Sequence, residues 1–282
     1  MVELGVTDCT LKQIKMIKVN LNSSGFSHAP SSTWYKKSKH ITWEYNTRNN
    51  PMTFYIDGDI FAGISDKNDG KLKFLWGLES PQYNSGFFNS VINNLDEVLE
   101  TYEMIFTYND ELVKLHSKFK WSPGNGFWVE TPKIYDKTKL VSMVCSDKRF
   151  TELQRFRYNY AIKNKDKLDI YGNINNHITL KEEGLIDYMF SVCVENDDSD
   201  TYFTEKILDC FATGTIPVYK GTKNIINYFN KNGIIFLDDI SLDSLTPELY
   251  FSKMNYIKEN FERVLPFNVN EDWLYDKYLK NL

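Results

Sequence analysis

Short runs of aliphatic, β-branched and aromatic residues recur along the chain. Between most of them lie longer stretches whose apolar positions repeat every three to four residues. The first pattern suits strands buried on both faces and the second suits crossover helices, so their alternation predicts an α/β protein built on parallel sheets. Strands are expected in the first half at 16–21, 52–56, 72–78 and 104–107, with helices near 90–100 and 110–116. In the second half strands are expected at 140–145, 168–171, 190–194, 215–219 and 234–237, with helices near 152–164, 180–188 and 203–213. Proline, glycine and polar residues concentrate at 121–133, which places an interdomain linker around 121–139. The division is therefore 1–130, 131–264 and a tail at 265–282, where Trp273, Leu274, Tyr275, Tyr278 and Leu279 recur at near-helical spacing and predict a helix that packs back on the body.

Composition narrows the class. A chain of 282 residues suits two domains, and 42% hydrophobic with 25% charged residues is ordinary for a globular protein. Thirty-three basic against 38 acidic side chains give a net charge of −5, which argues against a general nucleic-acid binder. Polar residues interrupt every apolar run near the start, so neither signal peptide nor membrane anchor is expected and a cytoplasmic location follows. Cys9, Cys145, Cys193 and Cys210 lack C-x-x-C spacing, and no disulfide framework or zinc site is expected. Aromatic residues reach 15%, enough for sugar-stacking surfaces as well as cores.

In an open parallel sheet, ligands sit beyond the carboxyl ends of the strands. The strand pattern at 190–194 is followed at once by Glu195 and Asn196, a polar loop, and then a helical stripe of Phe203, Ile207 and Phe211 ending at Gly214. That helix is expected to begin near Tyr202, with Glu205 and Lys206 in its first turn, where free N–H groups attract an anion. A lysine there opposes the helix dipole, which a diphosphate would offset. Asp57-Gly58-Asp59 has the form of a metal-holding D-x-D but lies between two apolar runs and is read as a hairpin-like turn, so no metal is expected. His28, His40, His116 and His177 stand in no motif.

Residues 188–221 resemble the signature of glycosyltransferase family 10, the α1,3/α1,4-fucosyltransferases. The likeness rests on the E-N pair after a strand, Y-x-T-E-K at 202–206 and G-T-I-P-V-Y-x-G at 214–221. It implies a GT-B fold of two Rossmann-like domains facing across a cleft, with GDP-fucose bound by the second and fucose transferred with inversion. Carried over by position, Asn196 and Lys206 would contact the diphosphate, Glu205 the ribose and Tyr202 the nucleoside, while Glu195 would either join them or brace its loop. The family's phosphate-pairing arginine would be Arg155, with Arg157 as the alternative. The start C-S-D-K-R departs from the family's S-N-C and leaves Lys148 and Arg149 open. Glu79, in an E-S-P triplet after a strand, would be the base that removes the proton from an acceptor hydroxyl.

The acceptor would be an oligosaccharide, stacked on any of Trp34, Tyr35, Trp43, Tyr45, Trp76 and Trp121 that are not core. The alternatives are a different nucleotide-sugar donor or an inactive glycan-binding relative. An NAD enzyme is disfavoured, because no G-x-G-x-x-G follows a strand.

Overall fold

The computed structural model describes residues 16–22, 26, 30–66, 71–83, 85–199 and 201–282; Cys9 and His28 lie outside them. Among the described residues every strand pairing within the two sheets is parallel. The first sheet comprises β1 (Ile17–Leu21), β2 (Ile41–Tyr45), β3 (Met52–Ile56), β4 (Leu72–Trp76), β5 (Met104–Thr107) and β6 (Phe119–Trp121), in the order β2-β1-β3-β4-β5-β6. The second comprises β7 (Lys139–Val144), β8 (Asp169–Tyr171), β9 (Tyr188–Val194), β10 (Ile216–Lys220) and β11 (Ile235–Phe236), in the order β11-β10-β9-β7-β8.

The helices of the first half are α1 (Ile60–Ser65), α2 (Ser85–Asn93), α3 (Leu95–Thr101) and α4 (Asp110–Leu115). Those of the second are α5 (Glu152–Lys163) and α6 (Glu205–Thr213), followed by α7 (Pro247–Ser252), α8 (Met254–Val264) and α9 (Asn270–Leu274). Two Rossmann-like α/β domains result, in the GT-B arrangement.

The central strands form where the apolar runs are densest. All seven residues of β9 are buried, as a strand covered by helices on both faces requires. Helix α5 starts at Thr151, whose side chain accepts from the Gln154 N–H while the Gln154 side chain accepts from the Thr151 N–H, a capping box. Helix α6 starts at Thr204, two residues later than expected, and ends on Gly214 at φ 70°, a left-handed cap that glycine takes without strain.

Several expectations are corrected. The strands at β2 and β6 and the helix α1 were not foreseen, and the helix expected at 90–100 is two helices, α2 and α3. The expected helix at 180–188 is a single 3-10 turn at Lys181–Gly184 that runs into β9. The stretch Asp57–Asp59 is a 3-10 turn opening α1; because β3 and β4 are parallel, it begins a crossover and not a hairpin.

One apolar cluster serves both sheets. It joins Val19, Phe54, Phe74 and Phe106 of the first domain to Phe203, Ile207, Phe211 and Phe229 of the second and to Trp273 and Leu274 of the tail. The tail also reaches the first domain through polar contacts. Buried Glu271 accepts from the Ser32 N–H at 2.6 Å and the Trp43 indole at 3.0 Å. Asp272 accepts from Ser38, and the Tyr278 hydroxyl donates to the Trp121 carbonyl at 2.9 Å.

Candidate active site between the two sheets

The carboxyl ends of β3 and β4 face those of β7 and β9 across a cavity of about 480 Å³. The two walls differ in chemistry. From the first domain come Asp57 and Glu79; from the second come Ser146, Lys148, Arg157, Asn196, Tyr202, Glu205 and Lys206. Lys181 and Asp209 line its floor, and a second cavity of about 580 Å³ shares Trp128, Ser146, Lys148 and Lys181 with it.

Of the residues expected at the site, Glu79, Asn196, Tyr202, Glu205 and Lys206 line the cavity, whereas Arg155 and Glu195 do not. Arg155 lies on the outer face of α5, its guanidinium spent on the Phe150 carbonyl at 3.0 Å. Arg157 takes the place expected of it. It is 5% exposed and donates to the Val194 carbonyl (3.1 Å), the Asn196 side chain (3.2 Å) and the Ser146 hydroxyl (3.2 Å). Its Nε is buried, and the Cys145 thiol lies against the guanidinium. A guanidinium held at a cavity wall is suited to an anion. Leu153, Arg157 and Ala161 form the buried stripe of α5 at intervals of four, so an arginine set in an apolar stripe was the signal that separates it from Arg155.

Glu195 is a brace. It is 0% exposed, and its carboxylate accepts from the Thr204 N–H at 3.0 Å and the Thr204 hydroxyl at 2.7 Å, tying the end of β9 to the start of α6. Burial pushes its carboxyl up, against the pull of Lys206. The Lys206 ammonium sits 3.0 Å from the Thr204 hydroxyl, 3.3 Å from Glu205 and 3.5 Å from Glu195. Two carboxylates of the protein therefore offset this lysine's unfavourable place at a helix N-terminus, a role expected of a bound diphosphate alone.

Lys181, which the sequence did not single out, pairs with Glu205 at 3.1 Å and Asp209 at 3.0 Å and lies 4.1 Å from the Trp128 ring centre. Burial alone would raise the Glu205 carboxyl, but Lys181 and Lys206 outweigh it and hold it well below the usual carboxylate range. Glu205 thus faces the cavity as a fixed anion, an acceptor for hydroxyl groups. Asp209 also accepts the Trp128 N–H at 2.6 Å, which fixes the linker against α6.

The Glu79 side chain is exposed and lines the cavity, where burial pushes its carboxyl up and Lys206 pulls it down. Its N–H and carbonyl are both held: Asp57 Oδ1 accepts from the Leu78 N–H at 2.7 Å and the Glu79 N–H at 3.3 Å, and the Tyr108 hydroxyl donates to the Glu79 carbonyl at 2.6 Å. Downstream, the Gln82 N–H donates to Asp197 of the second domain at 3.0 Å. The Tyr202 ring packs edge-on against Tyr108, 4.9 Å between centres.

Trp43 and Trp76 are core, and Trp121 stacks on Tyr228 at 4.6 Å within the apolar cluster. Trp34, stacked on Trp128 at 5.6 Å, and Tyr35, 68% exposed, line the second cavity. His40 stacks on Tyr275, and His116 and His177 are surface residues. Among the described residues no group of three or more His, Cys, Asp or Glu could hold a metal, and no helix is long and apolar enough to cross a membrane.

Comparison with known proteins agrees with this architecture. Residues 134–264 match the model of the C-terminal domain of glycosyltransferase family 10 (fucosyltransferase). The α-(1,3)-fucosyltransferase FucT of Helicobacter pylori is 37% identical over 59 residues, 21% of this chain and only 12% of that protein. A solved α1,3-fucosyltransferase with GDP superposes with a TM-score of 0.53 at 14% identity, covering 98% of this chain and 92% of that one. One with GDP-fucose gives 0.51 at 14% identity, covering 94% and 86%. Residues 134–264, just under half of the chain, are thus similar to the C-terminal domain of glycosyltransferase family 10.

Proposed function

We propose that this protein transfers fucose from GDP-fucose to a hydroxyl group of an acceptor glycan, forming an α1,3 linkage with inversion at the anomeric carbon. The observation that carries the reading is the polarised cavity: a carboxylate from one sheet faces a buried arginine and a helix-terminal lysine from the other. The fucosyltransferase character of the matched family, and the GDP-fucose held by a solved neighbour of the same fold, support the donor.

Glu79 takes the proton of the acceptor hydroxyl as its oxygen bonds to the anomeric carbon. The bond from that carbon to the phosphate oxygen breaks on the opposite face, and GDP leaves with the electron pair. Arg157 and Lys206 receive the charge that develops on the departing diphosphate, with no metal in the step. Glu205, held ionised, accepts from the ribose hydroxyls, and the adjoining cavity past Lys181 and Trp128 has room for the base. Lys148, on the same rim, adds a cation that the departure at 145–149 had left open.

Calorimetric titration with GDP, GDP-fucose, GDP-mannose and UDP sugars, without added metal, tests the donor. Selective binding of GDP and GDP-fucose is expected. Preference for another nucleotide sugar overturns the fucosyl reading, and no nucleotide binding overturns the enzyme reading.

A further inference from the structure

The turn Asp57-Gly58-Asp59 has a backbone that its own sequence does not explain. Asp57 stands at φ 46°, in the left-handed region that side chains avoid, while Gly58 beside it keeps an ordinary φ. Nothing lies within 4 Å of where a Gly58 side chain would begin, so space does not demand the glycine either. Left-handed backbone is uncommon outside glycine, although aspartate adopts it more readily than most side chains, and the permissive neighbour was available to take it. The conformation is accounted for by what the aspartate reaches. Its carboxylate crosses from the end of β3 to the end of β4 and accepts from the N–H groups of both Leu78 and Glu79. The Tyr108 hydroxyl, brought in after β5, holds the Glu79 carbonyl from the other side. Three adjacent parallel strands thus contribute to one residue: β4 delivers it, and the loops after β3 and β5 grip its N–H and its carbonyl.

We infer that Asp57 and Tyr108 are positioning residues that suspend the Glu79 peptide between them and so aim its carboxylate at the acceptor hydroxyl. The inference rests on Glu79 being the base. Neither residue acts on the substrates. Each fixes a backbone group of Glu79, which a side chain with rotatable bonds needs if its carboxylate is to stay within hydrogen-bond reach of one hydroxyl. Asp57 serves as an acceptor; its left-handed backbone is tolerated because aspartate and asparagine bear that conformation better than other side chains.

The test compares Asp57→Asn, Asp57→Gly and Tyr108→Phe, measuring GDP release from GDP-fucose in the presence of N-acetyllactosamine, which counts transfer to sugar and to water alike. Asp57→Gly relaxes the backbone and removes the acceptor; a misplaced base lowers kcat by about 10²-fold, with KM for GDP-fucose within about twofold. Asp57→Asn keeps an acceptor oxygen and the left-handed preference, and restores the rate to within about threefold of the parent. Tyr108→Phe keeps the ring against Tyr202 and, through one lost hydrogen bond, lowers kcat roughly tenfold.

Undiminished kcat in both Asp57→Gly and Tyr108→Phe overturns the inference, as does a loss in Asp57→Asn equal to that in Asp57→Gly. Should Asp57→Gly fail to fold, Tyr108→Phe decides. Crystal structures of the folded variants give a readout independent of turnover: Glu79 displaced or in two conformers is expected, and Glu79 in its parent position overturns the inference. Glu79→Gln measured alongside separates the two readings, since normal turnover by that variant sinks the base assignment whatever Asp57 does.

Discussion

The two domains share a fold and divide the chemistry unequally. In the second, Asn196, Tyr202, Glu205, Lys206 and Asp209 come from one stretch where β9 ends and α6 begins, joined by Ser146, Lys148, Arg157 and Lys181 from elsewhere in the domain. In the first they are dispersed: Asp57 and Glu79 line the cavity from two strand ends, and Tyr108, from a third, holds the Glu79 carbonyl. The difference follows from the task. A diphosphate is bound by local, sequence-contiguous features, namely a helix start and its cap. A base must be aimed across a cleft, and aiming needs support from several elements at once. Variants of the first domain should therefore alter turnover, and variants of the second should alter nucleotide affinity.

The largest effect expected is that of Glu79→Gln, which should lower kcat by about 10²- to 10⁴-fold while GDP affinity by calorimetry stays within about twofold. A matching loss of GDP affinity would erase the division between the domains. Arg157→Lys keeps the charge and loses the planar fork; a loss of about 2 kcal/mol, or roughly 30-fold in GDP affinity, is expected from hydrogen bonds to a charged group. Lys206→Ala should weaken GDP about tenfold and also move a pH profile. Burial raises the Glu79 carboxyl and Lys206 lowers it. The base must be ionised to act, so activity falls toward acid pH through the pKa of Glu79. Without the cation that pKa rises, and the acid limb of kcat/KM should shift to higher pH. An unmoved limb would mean that Glu79 and Lys206 do not share a cavity. The smallest effect is that of Arg155→Ala, expected within about 0.5 kcal/mol in both GDP binding and thermal stability, because its guanidinium lies on the surface.

What could be read beforehand followed the same division. The contiguous stretch around 188–221 was legible because a buried strand, a polar loop, a helix start and a cap glycine occur in one run. The central strands β3 and β5 were placed to the residue, since uninterrupted apolar runs admit few alternatives. Strands β2 and β6 escaped because one alternates polar and aromatic residues over five positions and the other is three residues long. Arg155 was preferred to Arg157 by aligning the helix's apolar positions with the family; in the structure Arg157 stands in the buried stripe and lines the cavity, and Arg155 does not. Asp57, Tyr108 and Lys181 act through residues 21 to 29 positions away, as in Leu78 with Asp57 and Glu79 with Tyr108, and no local pattern encodes such pairings.

The tail gives the molecule a mechanical property. The chain passes from the first domain to the second once through the linker and returns through α9 and Tyr278 to grip Ser32, Trp43 and Trp121. Two separate crossings pin the halves at two places, as two pins hold a door, and restrain them against twisting apart. The clasp between Gln82 and Asp197 lies at the cavity rim, where a latch would be. Such a frame, with the apolar cluster shared by both sheets, keeps the carboxylate of one leaf in register with the cations of the other.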